Sequence, residues 1–233
     1  MIAFIQYQYK KYLRSYQFIP PMMIFITWII IQYLYSGQPI LSSYASSCLV
    51  LLIISCWLTI NILNLETLNE KYLLFIQFES KLKYLFGKLL FIFLVNCMLI
   101  VFSMLYPILI HSFKDKVSLK EATLAISLHI IVCLTATLIS TFIANINVLS
   151  KKYKWLLIAL IILVSILRPF LLQTYTFLKY ILWIVPPIGD YMSVYNTEIL
   201  AHFNYLSITI IMIVYILVLF GLTIFIFLKS EQK

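Results

Sequence analysis

Six strongly apolar runs follow one another along the chain, near Phe18–Tyr35, Tyr44–Asn64, Tyr84–Ile110, Ala122–Leu149, Trp155–Leu167 and Tyr205–Leu228. A helix needs roughly 20 apolar residues to cross about 30 Å of hydrocarbon, so runs of this kind specify membrane spans. The third run is long enough to tilt. Pro20-Pro21 falls in the first turn of the first run, where a missing N–H costs little. A break is expected after the fifth, at Arg168-Pro169, because proline disfavours helix at the residue before it. The expectation is an all-α polytopic membrane protein with six transmembrane helices in a single domain, residues 1–233.

Composition agrees: 64% of residues are hydrophobic and 11% charged, against about 45–50% and 25% in soluble domains. The net charge of +9 does not imply nucleic acid, because the Lys and Arg residues are spread among connectors rather than clustered on a soluble module. They act as topology signals instead. With the N-terminus inside, Lys10, Lys11, Arg14, Lys71, Lys81, Lys83, Lys88, Lys151, Lys152, Lys154, Lys229 and Lys233 fall inside, and Lys114, Lys116, Lys120, Arg168 and Lys179 outside. This imbalance favours both termini in the cytosol. Cys48, Cys56, Cys97 and Cys133 lie in apolar runs without CxxC spacing and read as small core residues. The basic, amphipathic N-terminus is not followed by a small-residue cleavage site, so the first run is expected to be kept as a span.

Three connectors are more than turns. In residues 1–17, Phe4, Ile5, Tyr9, Tyr12, Leu13 and Tyr16 share one side of a helix opposite Gln6, Lys10, Arg14 and Gln17, which predicts a helix lying in the membrane surface. In residues 65–83, Thr67-Leu-Asn-Glu70 fits a capping box. Leu68, Tyr72, Phe75 and Ile76 then repeat at helical spacing, with Glu66, Glu70, Lys71 and Gln77 at other positions. An ordinary loop helix shielding its own apolar side on the bilayer would carry the same pattern. Residues 170–203 are too irregular for one span: a short apolar stretch, Tyr175–Val185, precedes Pro186-Pro187-Ile-Gly189-Asp190, which suits an interfacial or re-entrant element.

The stretch from Glu66 to Lys88 resembles the coupling region of ABC-2 type transporter permeases, at Glu66, Glu70, Leu73, Leu74, Lys81, Tyr84, Leu85, Gly87 and Lys88. Leu68-Asn69 and Phe78-Glu79 stand where that family often has Gly-Thr and Pro. The surface helix at the N-terminus and the Pro-Pro before the last span are similar to the same family. The resemblance implies a cytosolic coupling helix between the second and third spans, with Thr67, Glu70, Lys71, Tyr72, Phe75, Gln77, Phe78 and Glu79 meeting an ATPase. It also implies a re-entrant helical hairpin before the sixth span, with Leu182, Pro186 and Pro187 at an exit gate. The implied partners are two ABC ATPase subunits, which carry ATP and Mg, and a second identical or related permease, in the bilayer of a bacterial plasma membrane.

Chemistry within the chain is sparse. Ionisable or polar residues at membrane depth are functional candidates, and Asn61, Asn96, His129 and Asn145 are those that could line a passage. Asn side chains equally serve as hydrogen bonds between helices. His129 has no partner at catalytic or metal-binding spacing, and a lone helical His is more often a packing residue. The chain has no G-x-x-x-x-G-K-[ST] phosphate loop, so ATP hydrolysis is expected on a separate subunit. The expected function is export of amphipathic peptides or hydrophobic antimicrobial compounds. The alternatives are a non-transporting immunity or scaffold protein and a membrane-embedded enzyme that depends on His129.

Overall fold

A computed structural model describes residues 1–146, 148, 150–196 and 202–230. Of the described residues 83% are helical and none lies in a strand. Backbone N–H and C=O groups are thereby satisfied within each segment, as hydrocarbon requires. In order the helices are α1 Ile2–Ser15, α2 Ile19–Gln32, α3 Ile40–Leu63, α4 Leu68–Phe78, α5 Lys81–Leu109, α6 Leu119–Ala144, α7 Lys151–Thr174, α8 Lys179–Leu182, α9 Ile188–Ser193 and α10 His202–Ser230.

Helices α3, α5, α6, α7 and α10 are long and apolar enough to cross a bilayer. At 1.5 Å per residue they extend about 36–44 Å. Helices α1 and α2 meet at 83° and count as a sixth crossing only if taken together as one broken element. Within the first expected span the regular helix, α2, is about 21 Å long. Pro20 and Pro21 open it, and the chain leaves helical geometry at Tyr33.

Helix α3 is the buried centre and packs chiefly on α6. One core cluster joins α2, α3 and α5 through Phe25, Ile29, Tyr44, Leu51 and Phe91. Another joins α3, α6, α9 and α10 through Cys48, Leu52, Val132, Ala136, Tyr191 and Met212. The outer faces of α5, α7 and α10 expose Met98, Leu105, Leu160, Leu163, Ile210 and Leu217. Contiguous apolar surface on this scale does not persist in water, and it is the surface lipid would cover.

The two ends of the bundle are distinct. At one end α1, α4, the α6–α7 turn and the last turns of α10 gather. Gln8 reaches Glu66, Phe227 packs on Phe75 and Tyr84, and Lys154 Nζ donates to the Ala144 carbonyl at 2.5 Å. At the other end the α2–α3 and α5–α6 connectors pair: Gln38 N–H donates to Ser112 O and Lys114 N–H to Gln38 O, each at 3.1 Å.

The expected break at Arg168-Pro169 does not occur. Helix α7 runs through Pro169 to Thr174, and α9 packs against it. A proline cannot donate to the carbonyl four residues earlier, here Ser165. Gly189 of α9 sits over that position: a Cβ there would lie 2.3 Å from Ile166 O and 2.8 Å from both Ser165 O and Pro169 Cδ. Arg168 forms an ion pair with Asp190 beside this contact. The irregular region 170–203 resolves into α8 and α9 on either side of Pro186-Pro187, with 197–201 outside the described residues.

Gly189→Ala is expected to lower the thermal stability of the detergent-solubilised protein by about 1–3 kcal/mol, the usual cost of overpacking. Gly221→Ala, where a Cβ would meet nothing within 4 Å, should leave stability unchanged or slightly raised. Equal melting of the two variants would contradict the α7–α9 contact.

Candidate functional site

The connector between α3 and α5 is held by three local devices. Thr67 caps α4 in a reciprocal box: Glu70 N–H donates to Thr67 Oγ1 at 3.4 Å, and Thr67 N–H donates to the Glu70 carboxylate at 2.8 Å. At the far end Glu79 takes a left-handed conformation with φ 54°, uncommon for a residue other than glycine. It stops α4, and α5 begins at Lys81. Lys81 and Lys83 therefore belong to α5 and not to α4.

The third device is a buried ion pair. The Glu66 carboxylate meets the Lys88 ammonium, and each side chain is 1% exposed. Glu66 also accepts from Gln8 Nε2 of α1 and from the Tyr84 hydroxyl at 3.0 Å. Lys88 Nζ donates to the Ile62 carbonyl in the last turn of α3 at 2.7 Å. Charges withdrawn from water are tolerated when they are paired and hydrogen-bonded, and this knot pairs them and gives each a further partner while tying α1, α3 and α5 to the start of α4.

Around it lies an aromatic cluster of Phe4, Phe75, Tyr84 and Phe227, with Phe78 packed against it. Phe75 meets Tyr84 edge-on at 5.0 Å and Phe4 meets Phe78 at 4.9 Å. The Lys71 ammonium lies 5.7 Å and 5.4 Å from the Phe75 and Phe227 ring centres. Gly87 permits the approach of α1, since a Cβ there would fall 2.7 Å from the Phe4 ring. Lys11 of α1 pairs with Glu70 at 2.6 Å. The Lys11 hydrogen bond, with help from the Thr67 backbone, holds the Glu70 carboxyl down at about 2. On Lys11 itself burial acts to lower the pKa, but the bonds to Glu70 and Tyr7 outweigh it and the net shift is upward.

The apolar stripe on α4 is divided between the interior of the bundle and its surface. Of Leu68, Tyr72, Phe75 and Ile76 only Phe75 turns inward. The other three, with Leu73, are more than half exposed. The buried ion pair and the rings of Phe4 and Phe227 set the rotation of so short a helix, and its own periodicity does not. Between α1 and α4 runs an open groove of about 470 Å³, lined by Met1, Ala3, Phe4, Tyr7, Glu70, Leu73, Leu74, Gln77 and Phe78.

Of the residues expected to meet an ATPase, Thr67, Tyr72, Gln77 and Glu79 are exposed, Glu70 and Lys71 are half-buried, Phe78 is half-buried against Phe4, and Phe75 is buried. The four candidates for a passage are not brought together. Asn61 donates to Gln17 O at 3.1 Å, and Asn145 to Thr141 O at 2.8 Å. Asn96 is buried and accepts from Ser55 Oγ at 3.0 Å. His129 is buried, with Nδ1 donating to Ala125 O at 2.8 Å and Nε2 facing Ser47 Oγ at 3.2 Å. Within the single chain Asn96 and His129 are core side chains. Leu182, Pro186 and Pro187 are buried toward the opposite end of the bundle from α4. No group of three His, Cys, Asp or Glu able to hold a metal occurs among the described residues.

Sequence reasoning missed Gln8 and the pairings Glu66–Lys88 and Arg168–Asp190. The available signals were Gln8 lying at i+4 between Phe4 and Tyr12, and single charges standing at the margins of apolar runs. No family model, curated protein or solved structure matches the chain.

Lys88→Met leaves the Glu66 carboxylate buried without its counter-charge and is expected to cost about 3–5 kcal/mol. The double variant Glu66→Gln/Lys88→Met should recover most of that loss in detergent unfolding. Equal losses would mean that the pair is not buried as described.

Glu70 gives a pH signature. Its folded pKa is depressed, so its contribution is present above the ordinary value of 4.5 and is lost as pH falls toward about 2. The melting difference between wild type and Glu70→Gln should therefore be constant near neutral pH and shrink to nothing across that window. A difference that persists below it would contradict the Lys11–Glu70 contact.

Proposed function

We propose that this chain is the membrane subunit of an ABC-2 type exporter, working with a second identical or related permease and with two separate ATPase subunits that bind ATP and Mg. The observation that carries the reading is the construction of α4. It is a capped helix between two membrane-spanning helices, anchored inward by Phe75 and the Glu66–Lys88 pair, with Leu68, Tyr72, Leu73 and Ile76 uncovered outward. A partner gripping the outward side would move α3 and α5 together, because separating them from α4 means breaking a desolvated ion pair.

Closure of the ATPases on nucleotide would favour one arrangement of the helices over another, and access at the permease interface would change with it. This is a population shift driven by differential contact. Orientation follows from charge. Lys10, Lys11, Arg14, Lys71, Lys83 and Lys229 lie on elements gathered at one end of the bundle, while Lys114, Lys116 and Lys120 lie at the other. By the positive-inside rule the first end, with α4 and both termini, is cytosolic in a bacterial plasma membrane. The apolar, aromatic-rich surface suits amphipathic peptides or hydrophobic antimicrobial compounds as cargo. Helices α8 and α9 around Pro186-Pro187 would form the re-entrant exit element on the outer side.

The test is copurification of the tagged permease with its ATPase. Tyr72→Ala/Ile76→Ala, at exposed positions, should reduce recovery of the ATPase at least tenfold, roughly the effect of losing one interface hot spot, and should abolish export while leaving permease abundance unchanged. Full retention of association and export would overturn the coupling role. Binding of a toxin with no ATPase recovered would support an immunity protein instead.

A further inference from the structure

Helix α10 is tied at places that lie far apart along its length. At the end that carries α4, Phe227 stacks on Tyr84 with ring centres 6.4 Å apart and meets Phe75 edge-on at 6.2 Å. The Lys71 ammonium of α4 stands 5.4 Å from the same ring. Nearer its start α10 meets the elements around Pro186-Pro187. The Tyr215 hydroxyl donates to the carbonyl of Trp183, the residue that closes α8. The Tyr205 ring meets that of Tyr195, just beyond α9, at 5.9 Å. From Tyr215 to Phe227 is about 18 Å of uninterrupted helix.

Away from these ties α10 is loosely held. Only 17% of its apolar stretch is buried, against 67% in α3, 44% in α5 and 56% in α6. Helix α7 is buried as little, but among the described residues it adds nothing to the cluster around Phe75. A helix with little packing along its sides and specific contacts at separated points passes displacement lengthwise, because it cannot shorten without breaking its own backbone hydrogen bonds. We infer that α10 is a rod that links the position of α4 to the packing of α8 and α9. The outer tie is the one most easily undone. Tyr180, Ile181, Trp183 and Ile184 are more than half exposed, so α8 is fastened through the Tyr215 hydrogen bond and the buried Leu182. The inference deepens the exporter reading and rests on it only for the force that would move α4.

The test is hydrogen exchange of the full chain in detergent, read on residues 179–185 by mass spectrometry with no ATPase or cargo present. The N–H groups of Ile184 and Val185, which donate to Ile181 O at 3.3 Å and Leu182 O at 3.2 Å, report on α8. Phe227→Ala cuts the tie at the α4 end and is expected to raise exchange in 179–185 at least fivefold, roughly the lower edge of coupling between sites. Phe227→Leu should raise it less, and serves if the alanine variant does not fold. Tyr215→Phe should raise it at least as much as Phe227→Ala, and the double variant no further, because the rod is then already detached. Phe86→Ala removes the contact with Phe220 at 5.7 Å between α5 and α10 but neither tie, and should leave 179–185 as in wild type. Faster exchange at α4 with 179–185 unchanged in the Phe227 variants would overturn the inference. So would effects of Phe227→Ala and Tyr215→Phe that simply add, or a Phe86→Ala variant that acts like Phe227→Ala. A silent 179–185 segment leaves the docking test on Tyr72 and Ile76 untouched, whereas failed docking with a responsive segment removes the exporter and keeps the rod.

Discussion

A carboxylate and an ammonium removed from water together, Glu66 and Lys88, hold one end of this protein in register. Burying two charges is unfavourable unless they are paired and find hydrogen-bond partners. The chain supplies them from four places: Gln8 on α1, the Ile62 carbonyl closing α3, and Tyr84 and Lys88 itself on α5. Because satisfaction depends on all of them, the elements are not free to slide independently. A short connector between two long helices, which would otherwise be a loose turn, becomes continuous with the bundle.

The aromatic cluster completes that continuity. Phe75 and Phe78 fix the inward side of α4 against Phe4, Tyr84 and Phe227, so that the start, the middle and the last turns of the chain meet in one cluster. At the opposite end a second ion pair, Arg168–Asp190, joins α7 to α9 where Gly189 presses on the backbone beside Pro169. The long helices between these pins are apolar and rest on the α3–α6 contact.

Much of this was legible in the residues. Long apolar runs mark α3, α5, α6, α7 and α10 because backbone satisfaction and hydrocarbon thickness leave few other solutions. The box at Thr67–Glu70 forms, since capping is a local exchange of hydrogen bonds. What was not legible depends on distant partners. The close packing of α9 beside Pro169 on α7 needs Gly189, twenty residues later. The rotation of α4 is set by Phe4, Phe227 and a salt bridge, so Phe75 turns inward while Tyr72 and Ile76 face outward. Gln8 is polar on an inward face because Glu66 waits there. The passage residues Asn61, Asn96, His129 and Asn145 share only polarity, and polarity alone does not bring side chains to one place.

The central claim is that α4 presents its outward side to the cytosol while its inward side is locked to the spans. Single cysteines test it directly. Cys48, Cys56 and Cys133 are buried and Cys97 is half-buried, so a background lacking all four is the starting point for the variants Ile76→Cys and Phe75→Cys. With a membrane-impermeant maleimide the account predicts rapid labelling at position 76 in inverted vesicles, none in intact cells, and protection at position 75 in both. Labelling of position 76 from the outside of intact cells would contradict it.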